Sequence, residues 1–157
     1  MALLGNIVWF FLGGWLLFLL YALSAVVFFP MFIPLFRLAL FSVWPFGREA
    51  VTKAQLDQYR DSKGSTADSS MTDAAFKNVS AVLNIFWMLT FGWALALVHL
   101  SASFLNLCFF WTIIAIPNIG GHWKLIRVAF LPFNKVIVPS GVAKEIREQI
   151  AKSKLGI

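Results

Sequence analysis

His99 and His122 are the two side chains of this sequence that titrate closest to neutral pH. Acid–base or metal chemistry would need a carboxylate, a thiolate or a third imidazole converging on them. Nothing of that kind stands near them in sequence. Residues 1–36 and 78–123 contain no Asp, Glu, Lys or Arg, so an acidic proton relay through the apolar stretches is absent. Cys108 is the one cysteine; it excludes an intrachain disulfide, offers no metal-ligand spacing, and reads as a small buried hydrophobe. No nucleophile–base pair, phosphate loop or dinucleotide fingerprint appears. An enzyme therefore ranks behind other classes, and neither cofactor nor metal is expected. The histidines read as satisfied or interfacial, with His99 placed at an outer turn.

The more informative polar residues recur. Asn6, Trp9, Gly14 and Trp15 return as Asn84, Trp87, Gly92 and Trp93, each offset by 78. Further on, Pro30, Arg37, Pro45, Phe46 and Val51 return as Pro117, Lys124, Pro132, Phe133 and Val138, each offset by 87. The second copy is thus nine residues longer (87 − 78) between its Gly-Trp mark and its proline. Two readings of the asparagines stand side by side. One is helix capping or interhelical hydrogen bonding, worth about 1 kcal/mol in a membrane. The other is a narrow polar constriction lined by equivalent asparagines from several subunits, joined by Asn106 and Thr112. Gly13, Gly14 and Gly92, each close before a tryptophan, read as sites of tight helix packing against a bulky ring. Some of Trp9, Trp15, Trp87 and Trp93 would serve as interfacial anchors.

The elements that must position these residues follow from hydropathy. The chain is 60% hydrophobic and 13% charged over 157 residues, too little polar material to clothe a soluble domain. Both uncharged stretches exceed the roughly 20 apolar residues of a bilayer crossing. The expected class is an all-α integral membrane protein with two related helical repeats, three to four membrane segments and interfacial amphipathic helices. A cleaved signal peptide fits poorly, since no basic residue precedes the long apolar run. The expected organisation is a first repeat over 3–51, a polar linker over 52–77, a second repeat over 78–138 and a basic amphipathic tail over 139–157. In the second repeat Ser70-x-x-Asp73 and Asn78 offer helix starts. A helix over 79–99 would turn near residues 99–103 and return to Pro117, where proline ends or kinks it. In the first, residues 4–29 form either one long tilted helix or a short re-entrant hairpin weakened at Gly13-Gly14.

Residues 35–44 and 122–131 are too short to span and carry Arg37, Lys124 and Arg127. They read as interfacial helices with basic side chains at the headgroups. Thr52-x-x-Gln55 predicts a capping box and a short helix to about Tyr59, followed by a flexible loop. Val142, Ile146 and Ile150 predict an amphipathic tail helix with Ser140 as N-cap, lying on the membrane or against another subunit's tail. All 13 Lys and Arg fall in 37–77 and 124–154, which places the linker and the tail in the cytoplasm. The net charge of +6 stands beside membrane segments, so anionic lipid headgroups, not nucleic acid, are the expected partner.

The stretches LNIFW…FGW, TIIAIP…HWKLIRVAFLPF and VWPFGREAV resemble the YccF family of duplicated inner membrane component domains, over 3–51 and 81–138. The second copy departs from the family pattern at Ala115, Trp123 and Asn134; the first has Arg37 for a lysine and lacks the Thr-Ile-Ile run. The resemblance implies a bacterial inner-membrane location and carries no reaction. Two functions follow from the residues. The first is a homo-oligomeric, anion-leaning pore with Asn6 and Asn84 at its neck and rings of Arg37, Lys124 and Arg127 at its cytoplasmic mouth. The alternative is a non-conducting scaffold or accessory subunit that binds anionic lipid and a partner protein.

Overall fold

The computed structural model describes residues 2–65 and 71–156, and the side chains of all of these except 71–76. The Ser70-x-x-Asp73 helix start lies outside the described side chains. The chain is overwhelmingly helical, and two helical runs, Ala2–Val27 and Lys77–Cys108, are long and apolar enough to cross a membrane.

The first run begins with α1 (Ala2–Trp9), passes through a π-helical bulge at Phe10–Gly14 and continues as α2 (Trp15–Val27). Gly13 sits at φ 131°, a conformation that a side chain would oppose, and kinks the run. Residues 4–29 thus form one long run bent at the non-helical Gly13, and not a re-entrant hairpin; the expected weak point at Gly13-Gly14 is the site of the kink. After a short 3₁₀ turn at Phe29–Met31, α3 (Phe32–Val43) folds back on α2. The second run repeats the plan, with α5 (Met71–Trp87), a π bulge at Met88–Gly92 and α6 (Trp93–Cys108), against which α7 (Ala115–Phe130) returns. At 1.5 Å per residue α2 and α3 are each roughly 20 Å long and α6 and α7 roughly 24 Å, so each hairpin has matched arms.

Several expected boundaries move. The helix of the second copy begins at Met71, not near Asn78, and does not turn at residues 99–103; it runs on to Cys108. The polar residues of that stretch face the interior, with His99 and Ser103 buried, so they mark a packing face, not a bend. Pro117 sits in the first turn of α7, where no intrahelical N–H partner is lost. Segment 35–44 is most of α3 and 122–131 is the second half of α7, so neither is a separate short helix; they pack Leu35, Leu38, Leu125 and Val128 into the core. Cys108 is exposed on the surface of the chain, not buried.

Between and after the hairpins stands a small polar layer that departs from an all-helical reading. β1 (Arg48–Thr52) pairs antiparallel with β2 (Lys135–Pro139). Each strand leads straight into a helix, α4 (Lys53–Ser62) and α8 (Ser140–Leu155). The Thr52–Gln55 capping box is present, with Thr52 Oγ1 accepting from Gln55 N at 3.1 Å. The expected cap at α8 shifts by one residue, since Pro139 precedes the helix and Ser140 makes no side-chain cap. Ala143 and Ile146 of α8 close a second apolar cluster with Val51 and Val138, against which Leu56, Tyr59 and Ile150 pack. The tail helix therefore covers its own ribbon and α4. Lys63–Glu145 at 3.2 Å and the Arg147–Glu49 pair add ion pairs across this layer.

The ribbon's register is symmetric. Ala50 pairs with Ile137, the residue 87 positions later. Lys53 N donates to Asn134 O at 3.1 Å, and Ser140 N donates to Gly47 O at 3.0 Å; these two bonds also interchange under the offset of 87. Gly47 and Asn134 both take positive φ, 84° and 66°. Asn134 thus replaces glycine in the same left-handed turn, which asparagine tolerates better than most residues.

Candidate functional site: paired clamps and a cation-lined cavity

The recurrent asparagines and tryptophans do the same thing in both hairpins. Asn6 Nδ2 donates to Phe46 O at 2.9 Å, and Phe46 N donates to Asn6 Oδ1 at 2.9 Å. Asn84 makes the same pair of bonds with Phe133, at 3.2 and 3.0 Å. Trp9 Nε1 donates to Ser42 O, and Trp87 Nε1 to Ala129 O, each at 2.8 Å. Each outgoing helix therefore grips the end of its own return helix and the Pro-Phe turn after it. These turns leave backbone groups without helical partners, and an unpaired amide or carbonyl in an apolar setting is costly. The asparagine amide, a donor and an acceptor together, satisfies one of each.

The glycines make room for the indole. A Cβ on Gly14 would lie 2.4 Å from Cδ1 of Trp9, and one on Gly92 would lie 2.9 Å from Cδ1 of Trp87. The ring beside each glycine is thus the tryptophan five residues earlier, not the one that follows; Trp15 and Trp93 are exposed. Gly13 meets nothing within 4 Å and serves the backbone alone.

The four residues expected to line a constriction are not brought together. Asn6 is fully buried in its clamp, so its amide faces no lumen in this chain; Asn84 is likewise bonded to Phe133. Asn106 Nδ2 donates to Ala102 O within its own helix, and Thr112 Oγ1 donates to Phe109 O. Twenty-two residues of helix, roughly 33 Å if straight, separate Asn84 from Asn106.

The two hairpins meet through a buried polar chain that sequence reasoning missed. Tyr21 Oη lies 3.1 Å from His99 Nε2, and His99 Nδ1 lies 3.1 Å from His122 Nδ1. The ring of His122 rests on Trp9, 4.6 Å between centroids. Each contact needs one hydrogen, which Tyr21 Oη or His99 Nε2 can supply at the first and one of the two Nδ1 atoms must supply at the second, so the two facing Nδ1 atoms cannot both carry hydrogen. Tyr21 and His99 are 78 apart, so the repeat offset aligns a tyrosine with a histidine; that alignment was the available signal. At the far end of α2, Phe28 packs edge-on against Phe86, Trp87 and Phe91. Position 21 facing 99 while 28 faces 86–91 means that α2 runs antiparallel to the second helical run.

The basic residues divide sharply. Lys124 Nζ crosses from α7 to the first hairpin and donates to Arg48 O at 2.9 Å and Pro45 O at 3.3 Å. Lys124 is thus a strut between units. We expect Lys124→Met to lower stability by roughly 1.5–3 kcal/mol, the range for bonds to a charged donor, as read by thermal unfolding in detergent. Arg127 is exposed and stands away from the ribbon cavity. Arg37 is exposed and lines a cavity of about 990 Å³ between α3, the middle of α5 and β2. Arg48, Lys53 and Lys135 share that lining, which contains no acidic residue among the described residues. Lys53 is paired with Asp57 at 3.1 Å. Lys135 is half-buried, and loss of water pushes its ammonium below the usual lysine range.

Among the described residues no group of three or more His, Cys, Asp or Glu side chains is placed to hold a metal. The inner membrane component domain model, YccF, matches residues 4–48 and again 82–135. The chain is also similar to the inner membrane protein YccF of Escherichia coli strain K12, at 29% identity over 160 residues and 95% of each chain. The protein of the same name from Shigella flexneri matches to the same extent. No solved structure matches the chain.

Proposed function

We propose that this chain, which belongs to the YccF family of inner membrane component domains, is a non-conducting scaffold of the bacterial inner membrane that holds anionic lipid against its cytoplasmic layer. The observation that carries this reading is the fate of the two repeated asparagines. Their amides are closed on the backbone of Phe46 and Phe133, so the side chains suited to a polar neck serve as internal clamps. Among the described residues charge stands in and around the ribbon, α4 and α8, at Lys77 in the first half of α5, and at Arg37, Lys124 and Arg127 on α3 and α7. That layer is cytoplasmic on the distribution of Lys and Arg. The N-terminus lies on the same side, because Asn6 is bonded to Phe46, two residues before β1.

Anionic headgroups are the natural counter-charge for such a layer, at about 1 kcal/mol per basic residue near the surface. Planar-bilayer recording tests the proposal. Purified protein, shown by circular dichroism to be folded, is expected to give no unitary currents across voltage and chloride gradients in phosphatidylglycerol-containing bilayers. Anion-biased steps that change on Lys124→Glu or Asn84→Ala would assign the oligomeric conduit instead.

A further inference from the structure

Under the offset of 87, Lys124 corresponds to Arg37, and its two acceptors, Pro45 and Arg48, correspond to Pro132 and Lys135. Lys124 reaches its carbonyls at 3.3 and 2.9 Å. Arg37 makes no hydrogen bond or ion pair among the described residues. Pro132 and Lys135 instead stand with Arg37 around the open cavity. At this place the two copies differ: the second hairpin's cation is bonded to two carbonyls, whereas the first hairpin's borders an open cavity.

The cavity has the two halves of an amphiphile site. One wall presents Arg37, Arg48 and Lys135 with no carboxylate in the lining among the described residues. The other is apolar, built from Met31, Ile33 and Leu83. It adjoins a smaller pocket of about 150 Å³ walled by Phe28, Phe86 and Trp87; the two share Pro30, Met31, Leu83 and Phe133. The larger volume lies at the upper end of the roughly 300–1,000 Å³ of ordinary ligand sites. A cation cluster beside an apolar channel calls for an anionic head and a hydrocarbon tail. Free phosphate would leave the aromatic extension empty, and a neutral lipid would leave the guanidinium groups unmatched.

We propose that this cavity binds one anionic phospholipid, with its phosphate on Arg37, Arg48 and Lys135 and an acyl chain directed toward Phe28 and Phe86. The site deepens the scaffold reading: it makes lipid engagement discrete and headgroup-selective instead of a diffuse attraction to every exposed lysine. The phosphate takes the place that the Pro45 and Arg48 carbonyls fill at Lys124. Guanidinium–phosphate pairs are the strong, often bidentate form of such contacts, and an anion there would offset the desolvation borne by Lys135.

The test is native mass spectrometry of the full chain in detergent, titrated with phosphatidylglycerol, phosphatidylcholine or inorganic phosphate. The expected result is one tightly retained phosphatidylglycerol per chain and no retained phosphatidylcholine. Inorganic phosphate at the same concentration is expected not to compete. Arg37→Gln and Lys135→Gln should each weaken retention at least tenfold, whereas Arg127→Gln, outside the cavity, should not. Circular dichroism and gel filtration confirm that each variant is folded. Equal losses for Arg37→Gln and Arg127→Gln would overturn the site in favour of diffuse adsorption, and full displacement by phosphate would overturn the lipid. Neither outcome bears on the bilayer currents, so this inference and the non-conducting reading fail separately.

Discussion

Replacing Asn6 by alanine is expected to lower the stability of the detergent-solubilised protein by roughly 2–4 kcal/mol, at about 1–2 kcal/mol, the lower part of the usual range, for each of two part-buried groups left without a partner. Two groups lose their partners together: the amide and the carbonyl of Phe46. Asn6 is fully buried and Phe46 half-buried, so water can replace the lost bonds only in part. Asn84→Ala is expected to cost less, because its bonds are longer, at 3.2 and 3.0 Å, and Asn84 is only half-buried. The check is the ordering of unfolding midpoints, with Asn6→Ala lowest, Asn84→Ala intermediate and wild type highest. If both substitutions left the midpoint unchanged, neither asparagine would be a clamp, and the polar-neck reading would regain its residues.

The second large effect falls on Gly14. An alanine methyl there would sit 2.4 Å from Cδ1 and 2.7 Å from Nε1 of Trp9. Trp9 cannot move aside freely. Its indole nitrogen is bonded to Ser42 O at 2.8 Å, and its far edge is held by Gly121, whose own Cβ would come within 2.7 Å of the ring. Gly14→Ala should therefore cost at the upper end of the roughly 1–3 kcal/mol typical of overpacking, and weaken the Trp9–Ser42 bond. Gly92→Ala should cost less, since its nearest contact is 2.9 Å. Gly120→Ala is the control. It lies within α7, meets nothing within 4 Å, and should stabilise the protein by a few tenths to about 1 kcal/mol through helix propensity. A series of unfolding midpoints for the three variants checks the order; equal effects at Gly14 and Gly120 would mean that the indole contact is not as described.

How far the sequence disclosed this arrangement depends on the reach of the contacts involved. The repeated Asn, Trp, Gly and Pro-Phe marks were visible because each hairpin uses them identically, and the Thr52–Gln55 box was visible because capping is local. The partners were not. Nothing local says that Asn6 will meet Phe46, forty residues away, or that β1 will pair with β2 across the second hairpin. The turn of the second hairpin was misplaced for a related reason. His99, Ser101 and Ser103 look like a polar bend in an apolar run, yet His99 and Ser103 are buried at the meeting of helices, and polarity alone does not separate a bend from a buried polar face. Lys124 and Arg37 look alike in sequence as basic residues in apolar segments. Only the fold shows that one is bonded between units and the other borders an open cavity.

If the repeated asparagines hold the Pro-Phe turns from within each unit, the backbone amides of Phe46 and Phe133 are shielded by them. Amide hydrogen exchange at these two residues, followed by NMR in nanodiscs, measures that shielding. Slow exchange is expected at both amides in the wild type. Fast exchange is expected at Phe46 alone in Asn6→Ala and at Phe133 alone in Asn84→Ala. Free exchange of Phe46 in the folded wild type, or protection there that survives Asn6→Ala, would contradict the clamp.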